Sequence, residues 1–164
     1  DMGAWGSAAG GGVGEVTVDD AALIIGELEN GAVASFEATR FALGRKNYNR
    51  FEINGSKGSI AFNFERMNEL EFYDGTQPSD RQGWSVILAT NAGDHDYISH
   101  WWPPGHPIGY EHTFVHAVVD FLYALDRGEQ PNSDFLSGAQ TDAVVDAVLK
   151  SAESGQWVAV EKLK

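Results

Sequence analysis

The chain has 164 residues, no cysteine, and a formal net charge of −13 from 11 Lys and Arg against 24 Asp and Glu. These numbers exclude a disulfide framework, a thiolate metal site and a cysteine nucleophile, and they argue against a nucleic-acid partner, which needs a basic face. Hydrophobic residues at 43% and aromatics at 12% suffice for a packed core, while no apolar run approaches the ~20 residues that cross a bilayer.

Residues 1–15 carry Gly3, Gly6, Gly10, Gly11, Gly12 and Gly14, a density that disfavours helix and strand alike, so a loop or frayed end is expected there. Gly10-Gly11-Gly12-Val13-Gly14 has the look of a phosphate loop, but that motif must follow a buried strand and open a helix, which this stretch does not.

From Glu15 the pattern has period two. Val16, Val18, Leu23, Ile24, Ile25 and Leu28 lead to Asn30-Gly31, a strong hairpin signal, and a return strand runs from Ala32 to Ala42. A basic interruption, Gly44-Arg45-Lys46-Asn47, precedes a strand at Tyr48 to Ile53, a turn at Asn54-Gly55-Ser56-Lys57-Gly58, and a strand at Ser59 to Phe64. Further strands are expected at Glu69 to Tyr73, with Leu70 and Phe72 on one face, and at Trp84 to Thr90. Consecutive hairpins of this kind imply an antiparallel meander.

Near Tyr110 the period changes. Phe114, Val118, Phe121, Leu122 and Leu125 recur at helical spacing, and Gly128 supplies the stop. A second helix is expected from about Phe135, capped by Ser133 or Asp134 and ended by Gly155, with Ala139, Ala143, Val144, Ala147, Val148 and Ala152 as its packing face. A terminal strand is expected from Gln156 to Val160. Strands, then two helices, then a strand give an α+β fold: an open, mostly antiparallel sheet with helices on one face.

The densest chemistry lies between Asp94 and Tyr110. Trp101-Trp102-Pro103-Pro104-Gly105-His106-Pro107 is a proline-stiffened aromatic loop, and His95, His100, His106, His112 and His116 all fall within this region or just after it. Flat indole faces stack and their N–H groups donate, so the loop suits a carbohydrate or cofactor wall; it also suits a cap over the core. His112 and His116, four residues apart, could share a divalent ion with Asp120, although no glutamate stands between them as a general base. Arg40, Arg45, Lys46 and Arg50 make a local positive patch, able to hold an anionic group or to pair with Glu37 or Glu52. No serine sits in a nucleophile-elbow context.

The order of elements resembles the C-terminal domain of the Gfo/Idh/MocA family of NAD(P)-dependent oxidoreductases. The likeness is carried by Val18-Asp19-Asp20-Ala21-Ala22, by Gly26 to Ala32 and Ser35-Phe36-Glu37-Ala38-Thr39-Arg40, and by Glu52 to Ile60. Phe114 to Phe121 and Ser151 to Val158 complete it. The resemblance implies a glyceraldehyde-3-phosphate-dehydrogenase-like C-terminal fold over residues 16–164, incomplete at its N-terminal side. It also implies an N-terminal Rossmann domain, hydride transfer between a nicotinamide and a hydroxyl carbon of a sugar, inositol or similar polyol, and homo-oligomer contacts through the sheet face.

No catalytic residue carries over, because the family's Glu-Lys-Pro lysine and its catalytic Asp/His helix have no counterpart here. NAD or NADP is expected on the full-length enzyme and none on this chain alone, which should be inactive by itself. Substrate-lining positions are then expected at Arg40, Arg45, Trp101, Trp102, His106, Tyr110 and His112, with no metal. The alternative is a stand-alone binding or dimerisation module without catalysis. With neither cysteine nor a signal peptide in the sequence, a cytoplasmic setting is expected, with neither membrane nor nucleic acid as partner.

Overall fold

A computed structural model describes Glu15 and residues 17–163; apart from Glu15, the glycine-rich opening lies outside the described residues. The described residues form two units, one ending at Gly44 and the other starting at Arg45.

The first unit is a hairpin of β1 (Ala21–Glu27) and β2 (Val33–Thr39), running from Ala21 opposite Thr39 to Glu27 opposite Val33. Asn30-Gly31 turns it as expected. Gly31 takes φ +82, the left-handed region that favours glycine, and the Asn30 side chain accepts the Ala32 N–H at 3.0 Å.

In the second unit, β3 (Arg50–Asn54), β4 (Gly58–Asn63), β5 (Glu69–Asp74) and β6 (Trp84–Leu88) form an antiparallel sheet in chain order. The register gathers Phe51, Phe62, Leu70 and Ile87 into one row and Ile53, Ile60, Phe72 and Ser85 into the next. Directly opposed residues share a face, so one side of this sheet is almost wholly apolar. That side is open: Phe51, Ile53, Phe72 and Ile87 are 37–58% exposed. The opposite side carries Glu52, Ala61, Glu71 and Val86 in one row, and Ala61 is buried there.

Two features depart from the single meander that the sequence suggests. The strands fall into separate two- and four-stranded sheets, because the basic stretch after β2 leaves the ladder: the Lys46 N–H and the Arg45 guanidinium both bond the Glu65 carboxylate, each at 3.2 Å. Residues 156–160 form no strand. The Gln156 carbonyl accepts from Ser151 Oγ at 2.7 Å, and Val158, Ala159 and Glu161 border a small cavity with the second helix, so the tail has helix rather than a strand edge beside it.

The helices are α1 (Tyr110–Arg127) and α2 (Phe135–Ser154). Gly128 and Gly155 end them at φ +66 and +65, in αL caps. Asp134 caps α2, its Oδ1 accepting the Ser137 N–H at 2.8 Å. On α2, Ala143, Ala147 and Val148 are turned inward, whereas Ala139, Val144 and Ala152 of the expected packing face are exposed. Among the described residues, no helix is long and apolar enough to cross a membrane.

The backbone N–H of Ser137 and then its hydroxyl hold the Asp134 carboxyl below its ordinary value of 3.8. A depressed folded-state pKa stabilises the protein above the unfolded value, and this contribution fades as pH falls through the folded one. Asp134→Asn, which retains a capping oxygen without titrating, should therefore flatten the acid side of a thermal-melting profile followed by far-UV circular dichroism. An unchanged acid limb would count against the cap.

Candidate functional site

The aromatic loop is a built structure. A single 3-10 turn at Ile98–His100 delivers the chain to Trp101; Ile98 is buried, and so is Thr90. Pro103-Pro104-Gly105-His106 then closes a tight turn. The His106 N–H reaches the Pro103 carbonyl at 3.3 Å, and Gly105 takes φ +88; proline followed by glycine at the two central positions is the residue order this geometry requires. His106 Nδ1 also lies 2.8 Å from the Pro103 carbonyl. A carbonyl only accepts, so His106 Nδ1–H donates, and Nε2 of this exposed ring is the nitrogen outside that bond. Trp102 is 71% exposed, its ring 6.3 Å from that of His106.

Two clasps hold the loop. Asn68, in the turn between β4 and β5, donates Nδ2–H to the Ile108 carbonyl and accepts the Ile108 N–H on Oδ1, both at 2.9 Å. The second is a polar-aromatic cluster on the inward stripe of α1. Trp101 Nε1–H donates to His116 Nε2 at 2.7 Å, and the Trp101 ring meets His112 edge-on at 4.2 Å. Tyr97 stacks on His116 at 4.1 Å, and its hydroxyl donates to Asp120 Oδ2 at 2.6 Å. That bond to Asp120 raises the Tyr97 hydroxyl above its ordinary value of 10.0. Burial, followed by the neighbouring His112 and His95, pushes His116 below 6.5.

His112 Nδ1 accepts the Gly109 N–H at 3.0 Å, satisfying an otherwise unpaired amide at the start of α1. The Glu111 carboxylate lies 3.4 Å from the same nitrogen.

The expected site residues therefore divide into groups. Trp101 and His112 meet, as do Trp102 and His106. Tyr110 packs edge-on against Phe64 at 5.7 Å and Phe114 at 5.0 Å. Arg45 bonds Glu65, the residue after Phe64, and lies 3.9 Å over the Tyr48 ring. Arg40 belongs to the first unit, where its backbone N–H donates to the Asp20 carbonyl at 2.9 Å. The metal alternative fails on its own ligands. His116 Nε2 is taken by Trp101 and Asp120 by Tyr97, and among the described residues no three His, Asp or Glu side chains could hold one ion.

Sequence reasoning missed Asn68 and Tyr97, which lie 40 and 23 residues from their partners and carry no local motif. It also missed a cavity of about 400 Å³ beside the loop, lined by Arg66, Asn68, Glu69, Thr90, Gly105 and Pro107 among others. In its lining Arg66 pairs with Glu69 and Asn68 holds Ile108, whereas the buried Thr90 Oγ1 has no hydrogen-bond partner among the described residues.

Comparison with known proteins places this architecture. The family described as "Oxidoreductase family, C-terminal alpha/beta domain" matches residues 6–160. Levoglucosan dehydrogenase of Pseudarthrobacter phenanthrenivorans is 39% identical over 151 residues, covering 92% of this chain and 38% of that protein. The crystal structure of an oxidoreductase domain protein from Kribbella flavida superposes with a TM-score of 0.87 at 51% identity, over 91% of this chain and 40% of that one. Levoglucosan dehydrogenase in complex with NADH and levoglucosan superposes with a TM-score of 0.86 at 39% identity, over 92% and 41%. The chain thus spans about two fifths of the length of these relatives. Sequence and superposition agree that this chain belongs to the Gfo/Idh/MocA oxidoreductase family, of which it forms the C-terminal alpha/beta domain.

Proposed function

We propose that this chain is the substrate side of an NAD(P)-dependent oxidoreductase that moves a hydride between a nicotinamide and a hydroxyl carbon of a sugar or similar polyol. The observation that carries this reading is the 39% identity, over 92% of the chain, to levoglucosan dehydrogenase, a protein solved with NADH and a sugar together. In the proposed roles, the exposed face of Trp102 stacks on the sugar and the Nε2 lone pair of His106 accepts a hydroxyl proton. Trp101, Tyr110, His112 and Arg45 shape the wall.

The cofactor fits elsewhere. A dinucleotide needs a parallel strand, a glycine turn and an open helix N-terminus. Here every described strand pairs antiparallel, and side chains already engage the amides at the helix starts, His112 at α1 and Asp134 at α2.

The test is sugar-dependent nicotinamide reduction by the full-length protein. Trp102→Ala is expected to raise KM for the sugar about threefold to tenfold with kcat little changed, as loss of one stacking contact requires. An unmoved KM would remove Trp102 from the site, and micromolar NADH binding by this chain alone in calorimetry would overturn the division of labour. The open apolar face of the four-stranded sheet supports a further part of the proposal, association of copies of the chain through that face.

A further inference from the structure

We propose that His116 is a positioning residue: as a neutral imidazole with its Nε2 lone pair facing Trp101, it holds the aromatic loop in place, and protonation releases the loop. The chemistry allows one arrangement. An indole N–H only donates, so at 2.7 Å His116 Nε2 must accept, and the ring proton belongs on Nδ1. A proton added to Nε2 sets two N–H groups against each other, and the bond is lost. Tyr97, stacked at 4.1 Å and tied to Asp120, prevents the imidazole from swinging away to another partner.

The groups around His116 come from two segments. On its own helix lie His112, one turn before, and Asp120, one turn after. From the segment that precedes the loop come His95 and Tyr97, with Asp96 acting on Tyr97. Asp120 alone favours the imidazolium and is the weakest of the influences on His116. Burial and the two neighbouring histidines favour the neutral form. Because the folded-state value lies below the unfolded one, the clasp stabilises the protein fully above about 6.5 and weakens as pH falls toward the folded value. The inference about the clasp stands on these contacts alone; its consequence for substrate rests on the reading of the loop as a sugar wall.

Indole N–H signals of the full chain, followed by nitrogen-edited NMR across the pH range, test the clasp. The Trp101 signal is identified by its loss in Trp101→Phe. It should be protected from exchange above neutrality and lose about tenfold of that protection on acidification, the order expected for one hydrogen bond. His116→Gln, whose amide oxygen accepts without titrating, should keep the signal protected at every pH, whereas His116→Leu should leave it unprotected throughout. Protection that ignores pH in the native chain, or survives in His116→Leu, overturns the proposal.

The same acidification should raise KM for the sugar in the native full-length enzyme but not in His116→Gln. A flat KM beside a titrating indole signal would retire the sugar-wall reading and leave the clasp standing.

Discussion

Replacing Asn68 with alanine is expected to cost about 2–4 kcal/mol of stability. The variant loses two hydrogen bonds to Ile108 and leaves a part-buried N–H and carbonyl without partners, and the second loss exceeds the first. Asn68→Asp discriminates further. The carboxylate can still accept the Ile108 N–H, but it places negative charge against the Ile108 carbonyl, so it should rescue little. Urea denaturation reads both as a lowered midpoint at unchanged slope. The pin joins the β4–β5 turn to the last residue before the α1 cap, so its loss should also loosen the loop between Trp101 and Ile108. That loosening appears as faster amide exchange across residues 101–108 under conditions where the chain remains folded. A loss below 1 kcal/mol would mean that the loop is held by the Trp101–His116 contact alone.

Local chemistry made much of this fold legible. Asn30-Gly31, Asp134, Gly128 and Gly155 each act through a conformation or hydrogen bond within a few residues, so the hairpin and helix limits follow from short stretches of sequence. The inward side of α1 was not legible. Apolar periodicity marks Phe114, Val118, Phe121 and Leu125, yet these are 54–67% exposed. The inward stripe is instead His112, His116, Asp120 and Ala124. Polar side chains occupy it because each finds a partner: Gly109 for His112, Trp101 for His116, Tyr97 for Asp120. A hydropathy pattern weighs burial and does not register such pairings. The basic patch shows the same limit. Among the described residues Arg50 pairs with Glu52, along one strand rather than across two, and Arg45 reaches 20 residues ahead to Glu65.

Ile53→Lys is expected to weaken self-association of the chain about a hundredfold. The open apolar face sets Ile53 in a row with Ile60 and Phe72, beside the row of Phe51, Phe62, Leu70 and Ile87. A cluster of that size in water favours pairing with a like surface. In a two-fold interface each residue counts twice. Losing about 1.5 kcal/mol of burial per side chain then amounts to about 3 kcal/mol, roughly a hundredfold in Kd. The lysine ammonium adds a desolvation penalty on top. Glu52→Gln is the control, since Glu52 lies on the opposite face, bonded to Arg50 at 3.1 Å. Sedimentation equilibrium should show a concentration-dependent dimer for the native chain and for Glu52→Gln, and a monomer for Ile53→Lys at the same loading. A native chain that stays monomeric at high micromolar concentration would remove the sheet face as an oligomer contact. Equal weakening by both substitutions would point to net charge rather than the apolar face, because Glu52→Gln changes charge without touching that surface.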